Sequence, residues 1–112
     1  MPPKRNPLGL NALQLKTLTL LQELARVTGS SGSAEEAGIA VHPPDPHGDH
    51  FHLGDAVVAT RDASGLRNPA VWVALERKGL IRSRYPHGAF VTPLGLDYET
   101  GLREAILRKS GH

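Results

Sequence analysis

Leucines recur at helical spacing near the start of the chain. They predict a helix over residues 11–27, with Asn11 as its N-cap and Gln14 as the second half of a capping box. The apolar positions of this helix are Leu13, Leu15, Leu18, Leu20, Leu21, Leu24 and Val27. Because they surround more than one side of the helix, we expect it either to pack in the core from two directions or to pair with a second copy of the chain.

Two short segments with strand character follow this helix. Residues 38–42 are mostly apolar, and residues 50–53 alternate between histidine and apolar side chains. Three prolines and one glycine fall between them, in residues 43–49, and indicate a turn or loop. The pattern predicts an irregular, histidine-rich hairpin over residues 38–53.

A pair of helices is predicted over residues 54–79. Residues 55–61 have the apolar side of a short helix, and residues 63–66 have turn composition. Asn68 is suited to cap the second helix, and Pro69 fits its first position, where no backbone donor is needed. Gly79 then marks the end of this helix.

A hairpin and a last helix complete the predicted order. Residues 80–92 contain two strands with a turn at residues 85–88. Thr92 and Pro93 then form the N-cap and first position of a helix over residues 93–109. Two glycines in that helix, at positions 95 and 101, are each expected to weaken it by roughly 1 kcal/mol relative to alanine.

Two segments of this order resemble bacterial transcriptional regulators of the multiple-antibiotic-resistance-repressor type, the MarR-like family. Residues 71–81, Val-Trp-Val-Ala-Leu-Glu-Arg-Lys-Gly-Leu-Ile, look like the end of its recognition helix and its first wing strand. Residues 91–95, Val-Thr-Pro-Leu-Gly, look like its second wing strand entering the last helix. The resemblance implies an α+β, mainly helical winged helix-turn-helix fold with a small antiparallel β-hairpin wing. It also implies a DNA-binding regulator, which we expect to form a homodimer through the leucine-rich first helix and the C-terminal helix.

The charge distribution changes along the chain although the net charge is only +2. Residues 35–62 hold six acidic residues and one basic residue, whereas residues 67–90 hold five basic residues and one acidic residue. Two surfaces with different partners would produce this pattern. Two complementary surfaces that meet within the fold or in a dimer would also produce it.

Basic and polar side chains of the second segment are the candidates for contact with double-stranded DNA. Arginine and asparagine pair with guanine and adenine edges, and basic side chains neutralise phosphates. The candidate residues are Arg67, Asn68, Arg77, Lys78, Arg82, Arg84 and His87. The same charges are also typical of an ordinary solvated surface. Residues 1–10 are expected to form a flexible basic arm.

A protein-interaction module with the same fold is the second hypothesis for this segment. It would use Trp72 and Val73 as an apolar contact patch. We expect Trp72, the only tryptophan, to pack instead beside Leu66 in the core or at an interface.

The histidines are concentrated in the predicted hairpin and are candidate metal ligands. They are His42, His47, His50 and His52. Strand pairing would bring His42 towards His50 and His52, and three imidazoles suit zinc or nickel. A metal-responsive sensor is therefore a third hypothesis, against a polar hairpin with hydrogen-bonded histidines. No nucleophile–base pair is apparent in the sequence, so we expect no enzymatic activity.

Length and composition limit the remaining possibilities. A chain of 112 residues suits one small domain. The absence of cysteine excludes disulfides and thiolate metal sites. No apolar run approaches the roughly 20 residues that cross a bilayer, and the first residues lack a signal-peptide core. We therefore expect a cytoplasmic protein with no membrane partner.

Overall fold

Helices and two small sheets alternate in the computed structural model, which describes residues 8–28, 39–41, 50–53, 56–85 and 87–109. The elements are helix α1 (Ala12–Thr28), strands β1 (Ile39–Val41), β2 (His50–Leu53) and β3 (Ala56–Ala59), a 3₁₀ helix (Thr60–Arg67), helix α2 (Pro69–Arg77), strands β4 (Ile81–Arg84) and β5 (Gly88–Val91), helices α3 (Pro93–Asp97) and α4 (Arg103–Ile106), and strand β6 (Arg108–Lys109). This is an α+β architecture, as predicted. None of the described helices is both long and apolar enough to cross a membrane.

Helix α1 is the central helix of the core. Its predicted capping box is present: the Asn11 backbone N–H donates to Gln14 Oε1 at 3.0 Å, and the Gln14 N–H donates to Asn11 Oδ1 at 2.8 Å. The leucines at 18, 20 and 21 are fully buried within the single chain. The interpretation as a core helix packed from two directions is therefore correct. The chain's own core covers these three leucines, and pairing of this helix with a second copy stays a prediction.

The first sheet has the strand order β1–β5–β4, and both pairings are antiparallel. The predicted hairpin of β4 and β5 is present, and Val91 pairs with both Ile39 and Ile81. Strand β1 therefore pairs with β5, and the predicted hairpin over residues 38–53 is not formed. The physical reason is burial: Val41, Ile81 and Val91 are all almost completely buried, so this pairing gathers apolar side chains in one core.

The second sheet has the order β2–β3–β6 and replaces a predicted helix. Residues 55–61 were expected to be helical, but Ala56–Ala59 forms strand β3 and pairs with β2, with Leu53 opposite Ala56. Val57 and Val58 are β-branched, which favours a strand over a helix. Only Gly54 and Asp55 separate the two paired strands in the sequence, a combination typical of a two-residue hairpin connection.

The last segment is not the predicted continuous helix over residues 93–109. Thr92 and Pro93 begin α3 as expected, with the Thr92 hydroxyl accepting from the Gly95 N–H at 3.0 Å. Helix α3 then ends at Asp97, and Gln22 Nε2 of α1 donates to the Gly95 and Tyr98 carbonyls at 2.7 and 2.8 Å. A short α4 and strand β6 follow, and β6 pairs with β3.

Polar side chains inside the core have partners. The Thr17 hydroxyl donates to the Leu13 carbonyl at 2.8 Å, and the Thr19 hydroxyl donates to Thr100 Oγ1 at 2.6 Å. Within the described ranges, no buried side-chain nitrogen or oxygen lacks a hydrogen-bond partner. The core is thus consistent with the rule that buried polar groups are paired.

Candidate nucleic-acid interface

Helix α2 presents one buried side and one exposed side. Asn68 caps it, its side chain accepting from the Ala70 N–H at 3.0 Å, and Gly79 follows its end with a φ of 79°. The buried side chains are Val71, Trp72 and Leu75. The exposed side chains are Pro69, Ala70, Val73, Glu76 and Arg77. The cap and the end of this helix are therefore as predicted.

Trp72 belongs to the core. It is fully buried, and its Nε1 donates to the Gly65 carbonyl at 3.1 Å. Leu66, its expected neighbour in the core, is also buried. An apolar contact patch made by Trp72 and Val73 together is therefore not formed, because only Val73, at 48% exposed, reaches the surface.

Hydrogen bonds join the two ends of helix α2 to strand β4 and to Tyr85, the residue that follows it. The Tyr85 hydroxyl donates to the Arg67 carbonyl at 2.9 Å, beside the start of the helix. Near its end, Glu76 Oε2 accepts from the Ser83 N–H at 3.2 Å. The Tyr85 ring also meets Trp72 edge-on, with ring centroids 5.1 Å apart. These contacts hold residues 67–85 and 87–91, called here the helix–hairpin unit, in one arrangement.

Five basic side chains of the helix–hairpin unit are exposed. They are Arg67, Arg77, Lys78, Arg82 and Arg84. Arg82 and Arg84 alternate along β4 with the buried Ile81 and the half-buried Ser83, so both lie on the outer face of the sheet. Arg84 also lies against the Phe90 ring, with its guanidinium carbon 5.6 Å from the ring centre.

These five basic side chains have no carboxylate partner among the described residues. The ion pairs found there are Lys16–Asp62, at 3.2 Å, and those of Glu23 with Arg103, at 3.0 Å, and with Arg26. Asp62, the member of the acidic stretch that the structure describes, thus pairs with α1 instead of the basic stretch. As far as the described residues show, the positive charge of the helix–hairpin unit is available to an external partner.

One of the predicted contact residues has a side chain with a structural role. Asn68 uses its amide oxygen in the N-cap, and that same oxygen is needed to accept from an adenine edge. His87 is exposed in the hairpin turn, where its backbone N–H donates to the Arg84 carbonyl at 2.8 Å. Among the candidates, the exposed basic side chains are therefore the best suited to an external anion.

Tyr85 and Glu76 were not among the predicted site residues, although they position that site. The available sequence signal for Tyr85 was its alternation with Ile81 and Ser83, which places the three on one side of an extended strand. Glu76 offered no comparable signal, because the N–H that it binds is identified only by the strand pairing.

The histidine group is not brought together by strand pairing. His50 and His52 lie in β2, opposite Ala59 and Val57. His42 and His47 fall outside the described residues. The strand that ends at Val41 pairs with β5 instead of β2, so the pairing that was to bring His42 towards His50 and His52 is absent. A search of the described residues finds no group of three potential metal ligands. Binding of zinc or nickel stays a prediction.

The geometry defines an α+β protein with an exposed, basic helix–hairpin unit. Comparison with known proteins adds no relative: no family model, no curated protein and no solved structure matches the chain.

Proposed function

We propose that this chain is a winged helix-turn-helix regulator that binds double-stranded DNA. Support for the fold comes from the order of α1, β1, the 3₁₀ helix, α2, β4 and β5, in which strands β2 and β3 are inserted between β1 and the 3₁₀ helix. Strand β1 completes the sheet beside the β4–β5 hairpin. The 3₁₀ helix takes the place of the helix before the turn, α2 is the recognition helix, and the β4–β5 hairpin is the wing.

The observation that carries the proposal is the set of five exposed basic side chains that have no carboxylate partner in the described ranges. Arg67 precedes α2, whereas Arg77 and Lys78 lie at its end. A helix of this length spans about 14 Å, comparable to the major groove, which is about 12 Å wide. The basic side chains at both ends of α2 are thus placed to meet phosphates on the two sides of the groove. Arg82 and Arg84 extend the basic surface onto the wing.

Fluorescence anisotropy with a labelled duplex tests the proposal. Replacing both wing arginines, Arg82→Ala and Arg84→Ala, should weaken binding about equally for duplexes of different sequence, because phosphate contacts do not read bases. The matched control is Arg61→Ala, which removes an exposed basic side chain outside the helix–hairpin unit and should leave binding unchanged.

Two outcomes would contradict the proposal. One is an absence of duplex binding at low salt by the wild-type protein. The other is equal binding by the wild type and the double variant, with circular dichroism showing that both are folded. A loss of binding free energy in Arg61→Ala that is half of the loss in the double variant would mean that binding follows total charge and not the proposed surface.

Binding as a homodimer stays a prediction. The leucines at the centre of α1 are buried in the single chain, so a second copy would have to use another surface. Sedimentation equilibrium with and without duplex measures whether two copies assemble, because paired half-sites on DNA require a pair of recognition helices.

A further inference from the structure

We infer that α2 reads thymine bases through their 5-methyl groups, with Val73 as the contacting residue. This inference rests on the proposed function, since it assigns the bases that the recognition helix would meet. It starts from one feature of α2: an apolar side chain, 48% exposed, lies in the middle of its outward side.

Polar base-reading groups on that side are already engaged within the protein. Asn68 Oδ1 accepts from the Ala70 N–H, and Glu76 Oε2 accepts from the Ser83 N–H. The exposed positions between them include Ala70 and Val73, which offer methyl groups only. The centre of the helix therefore has apolar contacts to offer, and Arg77 follows one turn after Val73.

The major groove presents one apolar group among the unmodified bases, the C5-methyl group of thymine. Cytosine, adenine and guanine expose hydrogen-bonding edges there, and an aliphatic side chain cannot satisfy these. The exposed basic residues before and after the apolar centre, Arg67 and Arg77, match the phosphates on either side of the bases. The chemistry thus favours A·T pairs opposite Val73.

Two duplexes that differ only in the methyl group test this inference. One contains alternating dA and dT, and the other contains dA and dU, which has the same charge and pairing but lacks the methyl group. In anisotropy titrations, the dT duplex should bind tighter by about fourfold for each methyl group that the helix covers.

Val73→Ser assigns the effect to its residue. Because Val73 is exposed, the variant should stay folded, bind the dU duplex as the wild type does, and lose the preference for dT. Val27→Ser is the matched control: it replaces another exposed valine, 39% accessible, at the end of α1, and it should keep the full preference.

The outcomes separate the inference from the proposed function. Equal wild-type affinity for the two duplexes would overturn thymine reading and leave DNA binding intact. A preference for dT that persists in Val73→Ser would overturn the role of Val73. Absence of binding to either duplex would overturn both the inference and the proposed function.

Discussion

Gly95 lies where α3 leaves the first sheet, against the backbone of Leu80. A Cβ atom at position 95 would stand 2.0 Å from the Leu80 carbonyl oxygen, and that oxygen also accepts from the Thr92 N–H at 3.1 Å. Since the neighbour is backbone, it cannot move away by a change of rotamer. The glycine is thus required for close packing of α3 on the sheet.

Substitution Gly95→Ala should therefore destabilise the protein, by about 3 kcal/mol, in contrast to the gain that helix propensity alone would suggest. Urea unfolding measures the change. Leu94→Ala is the control in the same helix: Leu94 is 52% exposed, and its truncation should change stability by about 0.5 kcal/mol or less. A Gly95→Ala protein as stable as the wild type would contradict the packing described here.

At the scale of elements, α1 is the central helix, against which most of the other elements pack. It contacts the 3₁₀ helix, α2 and both sheets, and its leucines are buried from several directions. Its polar residues also reach the last segment, through Gln22 to the end of α3 and through Thr19 to Thr100.

Leu21→Ala should accordingly cost about 2–5 kcal/mol, because a fully buried leucine leaves a cavity when truncated. Val27→Ala, at the exposed end of the same helix, should cost about 0.5 kcal/mol or less. Thermal and urea unfolding compare the two. Similar small effects in both variants would mean that α1 is not the core helix.

The success of prediction differs between elements for physical reasons. Helices α1 and α2 have local signals in their caps and periodicity, and the β4–β5 hairpin alternates clearly, so all three are recognisable. The sequence of strand β3 carries conflicting signals, because the two alanines at its ends favour a helix whereas its two central valines favour a strand. The partners of β1 and β6 depend on contacts between residues far apart in the chain.

The candidate site shows the same division at the scale of the whole molecule. Exposure of Arg82 and Arg84 follows from strand alternation and was predictable. The hydrogen bond from the Tyr85 hydroxyl to the Arg67 carbonyl depends on how the hairpin folds back over α2, so it was not predictable from the sequence. Within the described ranges, five basic residues without a carboxylate partner thus lie in the helix–hairpin unit, whereas Glu23 and Asp62 are paired with basic residues outside it.

The salt dependence of duplex binding tests the central claim most directly. If the five exposed basic side chains of the helix–hairpin unit each neutralise a phosphate, a plot of log affinity against log salt concentration should have a slope of about −4 to −5. Removing Arg82 and Arg84 together should make that slope shallower by about 2. A wild-type slope near zero, or a slope that the double variant leaves unchanged, would contradict the claim that this surface binds DNA.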